Sequence, residues 1–251
     1  MTWDPTQYGK FRDERSRPFL DLLARVPDGP YARIADLGCG DGALTRVLAE
    51  RWPAARVIGV DSSAEMLASA QPIPGRLEFR PGDLRAWSEP VDLLFSNAAL
   101  QWVPEHASAI PNLAGKVAPG GAFAVQVPGN HGSPSHLEMM RLAAEEPWKA
   151  RLEGRWQAHA VEPLAWYAET LLRLGWEVEA WETTYLHLLP GENPVIEWMK
   201  GTALRPILKV LGPEGAAFLD ALAPRFRAAY PPGPDGTLFP FRRLFFVAVR
   251  K

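Results

Sequence analysis

Cysteine is nearly absent: Cys39 is the only one in 251 residues. No intrachain disulfide can form and a zinc site built from thiolates is excluded, so a reducing cytoplasm is the expected compartment. Excess charge of either sign is also missing. With 27 basic and 29 acidic side chains the formal charge is -2, and no block of Lys and Arg is long enough to track phosphates. Nucleic acid is therefore not an expected partner. No apolar run reaches membrane-spanning length, and Met1-Thr2-Trp3-Asp4-Pro5 is not a basic region leading into an apolar one. Neither a membrane partner nor export is expected. Internal repeats, low-complexity segments and a recognisable metal-ligand cluster are lacking too. What remains is an ordinary globular composition, 47% hydrophobic and 22% charged, in a chain long enough to bury one substantial core. A single domain, 1–251, and a monomer are expected.

Phe19, Leu22, Leu23 and Val26 recur at helical spacing, which predicts a helix over 11–26, with Pro18 kinking it or beginning its regular part. Short apolar runs follow at 34–37, 57–60, 77–79, 91–95 and 123–127, separated by helical or loop-like stretches. Strands alternating with helices predict a doubly wound α/β fold on a mostly parallel sheet. Later, 163–174 reads as a helix ending at Gly175, and 176–188 and 244–249 read as strands. More than fifty residues between those strands, including the turn-rich 231–236, are too many for a plain connection and predict a helical cap. The expected division is an N-terminal helical segment over the site (1–30), a cofactor-binding core (31–128) and substrate-cap insertions (129–175 and 187–240).

The segment 34–42, Ile-Ala-Asp-Leu-Gly-Cys-Gly-Asp-Gly, runs a strand into a glycine-rich turn that lets a ligand approach the backbone, so Gly38, Cys39 and Gly40 are cofactor candidates. Gly38-x-Gly40-x-x-Ala43 also fits a permissive dinucleotide fingerprint. Asp36 weighs against that alternative: a carboxylate there is unhelpful beside pyrophosphate and useful against the cationic amino-acid end of S-adenosylmethionine. Asp61 ends a second strand, where its oxygens can accept from both ribose hydroxyls. Ser62 and Glu65 are the expected capping box of the next helix, leaving Asp61 free for the ligand. Ser62 and Met66 are further cofactor candidates, as are Asp83, Leu84 and Asn97 at the ends of the following strands; an acid at 83 suits an adenine amino group.

The segments IADLGCGDG, VIGVDSSAEML, PGDLRAW and VDLLFSNAALQWVPEH together resemble the class I S-adenosylmethionine-dependent methyltransferase family. WDPTQYGKFRDERSRPFLDLLARVP, WETTYLHLLP and EWMKGTALRP extend the similarity to the branch that esterifies trans-aconitate, over nearly the whole chain. FPFRRLFFVAVRK resembles that branch's ending but carries an added arginine, Arg242. The resemblance implies a seven-stranded Rossmann-like sheet with an antiparallel last strand and a helical cap. It also implies methyl transfer to one carboxylate of a small polycarboxylate, with S-adenosylhomocysteine as co-product. Such an acceptor is already ionised, so the task is positioning rather than proton transfer. Arg17, Arg205 and Arg243 fall in matching segments and are candidates for the substrate's charges. His187, Trp102 and Gln101 are positioning candidates, and Tyr8 would fold over the cofactor's methionine end. The open alternatives are methylation of another small acid and a binding protein that holds the cofactor without transferring from it.

Overall fold

The computed structural model describes residues 12–156 and 161–251, so Tyr8 lies outside the described residues. Helix α1 (Arg12–Arg25) runs through Pro18 without a break in its assignment. The missing N–H removes one helical bond, which the burial of Phe19, Leu22, Leu23 and Val26 outweighs. Five strands follow: β1 (Arg33–Leu37), β2 (Arg56–Asp61), β3 (Leu77–Pro81), β4 (Val91–Asn97) and β5 (Val117–Pro128). Helices α2 (Thr45–Arg51), α3 (Ala64–Leu67) and α4 (His106–Ala114) lie between them.

Most of these strands are buried on both sides, which is why they read as unbroken apolar runs. Ile34, Val57, Leu93, Phe95, Ala122 and Ala124 face α1 and α2. Ala35, Leu37, Ile58, Val60, Leu94, Phe123 and Val125 face the opposite layer, formed by α4 and by α7 (Leu164–Arg173) through Ile110, Leu113, Tyr167 and Leu171. The sheet order is β3-β2-β1-β4-β5-β8-β6, with β8 (Gly236–Arg250) antiparallel to both neighbours and β6 (Trp176–Leu189) at the edge. These seven long strands match the expected architecture, and a two-residue β7 (Pro232–Gly233) pairs with the start of β8 as an eighth. The chain winds outward from β1 in one direction and from β4 in the other, which opens a crevice at the carboxyl ends of these two strands, the usual ligand position in such sheets.

The last strands are longer than the pattern 244–249 indicates. β6 and β8 stay paired from Trp176↔Arg250 to Leu189↔Thr237, across Pro240. β5 accompanies β8 only as far as Arg243, so farther out β8 has an open side where a residue without N–H is tolerated. The projecting ends carry Leu189, Phe239 and Phe241 into a separate apolar core with α5 (Pro134–Ala143), α6 (Trp148–Leu152), α8 (Pro194–Lys200), α9 (Leu204–Leu211) and α10 (Gly215–Ala229). The helices of 194–229 and of 134–152 therefore share this second core, while α7, at the end of 129–175, packs on the sheet. Among the described residues no helix is long and apolar enough to cross a membrane.

Candidate functional site

At the end of β1 the chain turns so tightly that Gly38 has φ +86°, and a Cβ there would lie 2.1 Å from that of Ala99. Gly38 N and Cys39 N both donate to Val60 O, at 2.7 and 3.1 Å. Asp61 does not stand free as the sequence suggests: Oδ2 accepts from Gly40 N at 2.9 Å and Oδ1 from Ser63 N at 2.8 Å, so its carboxylate locks the glycine turn to the end of β2. This also corrects the cap. With its N–H held by Asp61, Ser63 and not Ser62 is the N-cap of α3, accepting from Met66 N and donating to Glu65 Oε2 at 2.8 Å. Ser62 is exposed. Met66 is buried, its Cε 3.4 Å from where a Cβ on Gly40 would sit.

Asp36 is buried and accepts from Thr45 Oγ1 at 2.7 Å. Burial raises its pKa to about 7, the Thr45 bond opposing and Asp61 adding to the rise. Burial also pushes the Cys39 thiol upward, which disfavours the reactive thiolate. Asp83 caps the short turn Leu84–Ala86 through Arg85 N and forms an ion pair with the Arg85 side chain, which holds its carboxyl below the usual range. Leu84 packs half-buried against the sheet.

On the face covered by α1, each central strand changes from apolar to polar at its carboxyl end. Two residues beyond Phe95 and Ala124 come Asn97 and Gln126, and two residues before Phe245, on the antiparallel strand, comes Arg243. Ala98, next to Asn97, is the one non-glycine residue with positive φ (53°) among the described residues, a conformation that costs about 1–3 kcal/mol. It is held by Ala98 N donating to Gln126 O at 2.9 Å and by Gln101 Nε2 donating to Ala98 O at 2.6 Å. Asn97 Oδ1 and Gln101 Oε1 are buried without a hydrogen-bond partner among the described residues. Trp102 is 37% exposed.

The two adjacent arginines separate cleanly. Arg242 points outward to an ion pair with Glu182, and its backbone is clamped by Asn130 at 2.8 and 2.9 Å. Arg243 points inward, 6% exposed, with its guanidinium 4.6 Å from the centre of the Phe241 ring. Strand alternation, unreadable while the register was unknown, decides between them. His187 is buried beside Trp198, ring centres 4.6 Å apart. Burial, reinforced by Arg243 and then Arg17, lowers its pKa to about 4, so it is a neutral imidazole at physiological pH. Tyr185 donates its hydroxyl proton to Asp21 of α1, and Arg17 lies 6.0 Å from the Tyr185 ring. Arg17, Arg243 and His187 thus meet, with Tyr185, Asp21 and Gln126 joining them unforeseen. Gln126 had a signal in the sequence, a polar interruption of the apolar run 123–127. The guanidinium nitrogens of Arg205 are buried, and its charge acts on Glu65 of α3, whose carboxyl is held low first by backbone and Ser63 hydrogen bonds.

The glycine turn that a Cβ would fill, the buried Asp36 and the unmatched amide oxygens suit a cationic amino-acid ligand bearing a ribose. Among the described residues no cluster of three His, Cys, Asp or Glu could hold a metal ion.

Residues 34–121 match the family model described as "Methyltransferase domain". The trans-aconitate 2-methyltransferase of Streptomyces avermitilis is 52% identical, covering 98% of this chain and 96% of its own. That of an Azoarcus species is 49% identical over 99% of both chains. Among solved structures, a Haemonchus contortus phosphoethanolamine N-methyltransferase shares the fold with a TM-score of 0.56 at 19% identity, covering 93% of this chain and 52% of that one. An S-adenosylmethionine-dependent methyltransferase from Mesorhizobium loti does so at 0.53 and 21%, covering 92% and 97%. Similarity of this extent to the curated relatives, carried on the same doubly wound fold, means that the chain belongs to the trans-aconitate 2-methyltransferase family.

Proposed function

We propose that the protein transfers the methyl group of S-adenosylmethionine to one carboxylate oxygen of trans-aconitate, giving the monomethyl ester and S-adenosylhomocysteine. The observation that carries this reading is the inward-facing Arg243, grouped with Arg17 and neutral His187 on the sheet face that also bears Asn97 and the end of the glycine turn. When bound, the cofactor supplies an electrophilic methyl carbon on a cationic sulfur. The chain's own residues do the rest. Gly38 to Gly40 give room for close approach, Asp36 faces the ligand's positive end, and Asp61 offers its remaining lone pairs to ribose hydroxyls. Arg243 and Arg17 pair with acceptor carboxylates that burial would otherwise leave unmatched. An ionised carboxylate needs no general base, so a neutral His187 serves by hydrogen bonding and shape. Holding the reacting oxygen in line within a closed site supplies up to roughly 7–11 kcal/mol.

The reading extends to a cytoplasmic monomer in which 31–128 holds the cofactor and the cap, with the N-terminal segment, encloses the acceptor. The test is incubation with labelled S-adenosylmethionine and a panel of mono-, di- and tricarboxylates, followed by mass spectrometry. A single methyl added to trans-aconitate, faster than to any other acid, is expected. Preference for a different acid would leave the cofactor assignment standing and replace the acceptor. Cofactor binding without transfer to any panel member would favour a non-catalytic role.

A further inference from the structure

Gln126 is fully buried in β5 on the face that carries Ala122 and Ala124. Which end of a glutamine amide is oxygen follows from its neighbours, and here one neighbour decides. Arg243 has only donors, so the amide oxygen must face its Nη1, 3.4 Å away, and Nε2 must point elsewhere. Nε2 is buried and has no acceptor among the described residues. Folded proteins rarely leave a buried amide donor unmet, since the lost hydration is not returned. The position is also rigid: Gln126 O holds the N–H of strained Ala98, and the residue sits opposite Asn97 on β4 and Phe245 on β8. Gln126 therefore lies at the seam between the loop packed against the glycine turn and the arginine group.

We propose that Gln126 contacts the acceptor directly. Its Nε2 donates to the carboxylate oxygen that is not methylated, while its Oε1 steadies Arg243 against the same negative charge. Fixing one oxygen presents the other to the methyl carbon, and no proton leaves the amide. The assignment rests on the carboxylate-acceptor reading above and adds to it the residue that selects which oxygen reacts. The nearest rivals are that Gln126 only orients Arg243, and that Nε2 merely turns to Asn97 Oδ1.

Gln126→Met removes both ends of the amide, and the isosteric Gln126→Glu keeps an acceptor for Arg243 while replacing the donor by charge. Wild-type turnover of trans-aconitate is the control: without it the carboxylate reading and this assignment fall together, and with it the variants judge Gln126 alone. Losing a hydrogen bond to a charged group should lower kcat/KM for trans-aconitate by about tenfold or more in both variants, with affinity for S-adenosylhomocysteine within about twofold of wild type. As pH falls, Gln126→Glu should regain rate when its protonated carboxyl offers an O–H donor, and Gln126→Met should not. Wild-type kcat/KM in Gln126→Glu overturns the proposal, because a carboxylate orients Arg243 at least as well. Unchanged kinetics in both variants overturn it in favour of the Asn97 contact. If Gln126→Met does not fold, Gln126→Glu decides alone.

Discussion

Two residues on the same sheet face titrate in opposite senses. Asp36 has a folded pKa of about 7 against an ordinary 3.8. The native state therefore holds its proton longer, and stability falls as pH rises between those values. His187, lowered from 6.5 to about 4, does the reverse, since the native state refuses a proton that the unfolded chain accepts. The two trends oppose each other, and His136, which burial and His131 also lower to about 4, adds to that of His187. In urea titrations the wild type should lose stability relative to Asp36→Asn as pH rises from about 4 to 7, with the difference constant above that, and Asp36→Asn should also bind S-adenosylmethionine more weakly. An unchanged slope in that variant would free Asp36 of the role. Because His187 is already neutral and the bound cofactor's positive charge favours ionised Asp36, single-turnover methyl transfer at saturating S-adenosylmethionine should be nearly flat from pH about 6.5 to 8.5. A bell-shaped profile would mean that an acid or base is essential, with His187 the first to substitute.

Among the elements, the glycine turn and the short helix α3 are held by very different means. Gly38 has no alternative: any Cβ meets Ala99 at 2.1 Å and the backbone is left-handed. Gly38→Ala should destabilise the fold by about 2 kcal/mol or more and displace the loop after β4. Thermal unfolding together with cofactor calorimetry would show whether both effects appear. α3, by contrast, leans on one side-chain bond from Ser63. Ser63→Ala should cost about 1 kcal/mol, and Ser62→Ala close to nothing. Equal losses from the two would restore Ser62 as the cap. The sequence announced a capping serine and a following acid, and it offered two serines. The choice fell to Asp61, which accepts from the N–H of Ser63 two residues on in an Asx-turn and so makes Ser63 the residue that enters the helix.

At the scale of the whole molecule, the cap and the sheet converge on a few buried charges, and the two consecutive arginines of β8 provide an internal comparison. Arg243→Met leaves an acceptor carboxylate desolvated without its partner and should cost about 2–5 kcal/mol in transition-state binding of trans-aconitate. Arg242→Met removes only an exposed pair with Glu182, worth about 0–1 kcal/mol, and should leave kinetics unchanged. Steady-state kinetics on the two folded variants would check this, and equal losses would mean that the inward and outward faces have been exchanged. Arg17→Met should raise the acceptor's KM less than Arg243→Met, because Arg17 is exposed.

The doubly wound sheet was legible because its evidence is local. The 34–37, 57–60 and 91–95 runs, the glycines after Leu37 and the acids at the ends of the first two strands are all short local signals, and periodicity plus turn chemistry dictate what they form. The proposed cofactor half of the site follows from the same short stretches. The acceptor half does not. Arg243, Gln126, His187, Tyr185 and Asp21 come from three strands and a helix spread over more than half the chain, and only the register of β8 between β5 and β6 turns Arg243 inward and Arg242 outward. Composition supplied many arginines without ranking them. Long-range strand pairing ranked them, because a shift of one residue in an alternating strand exchanges the buried face for the exposed one.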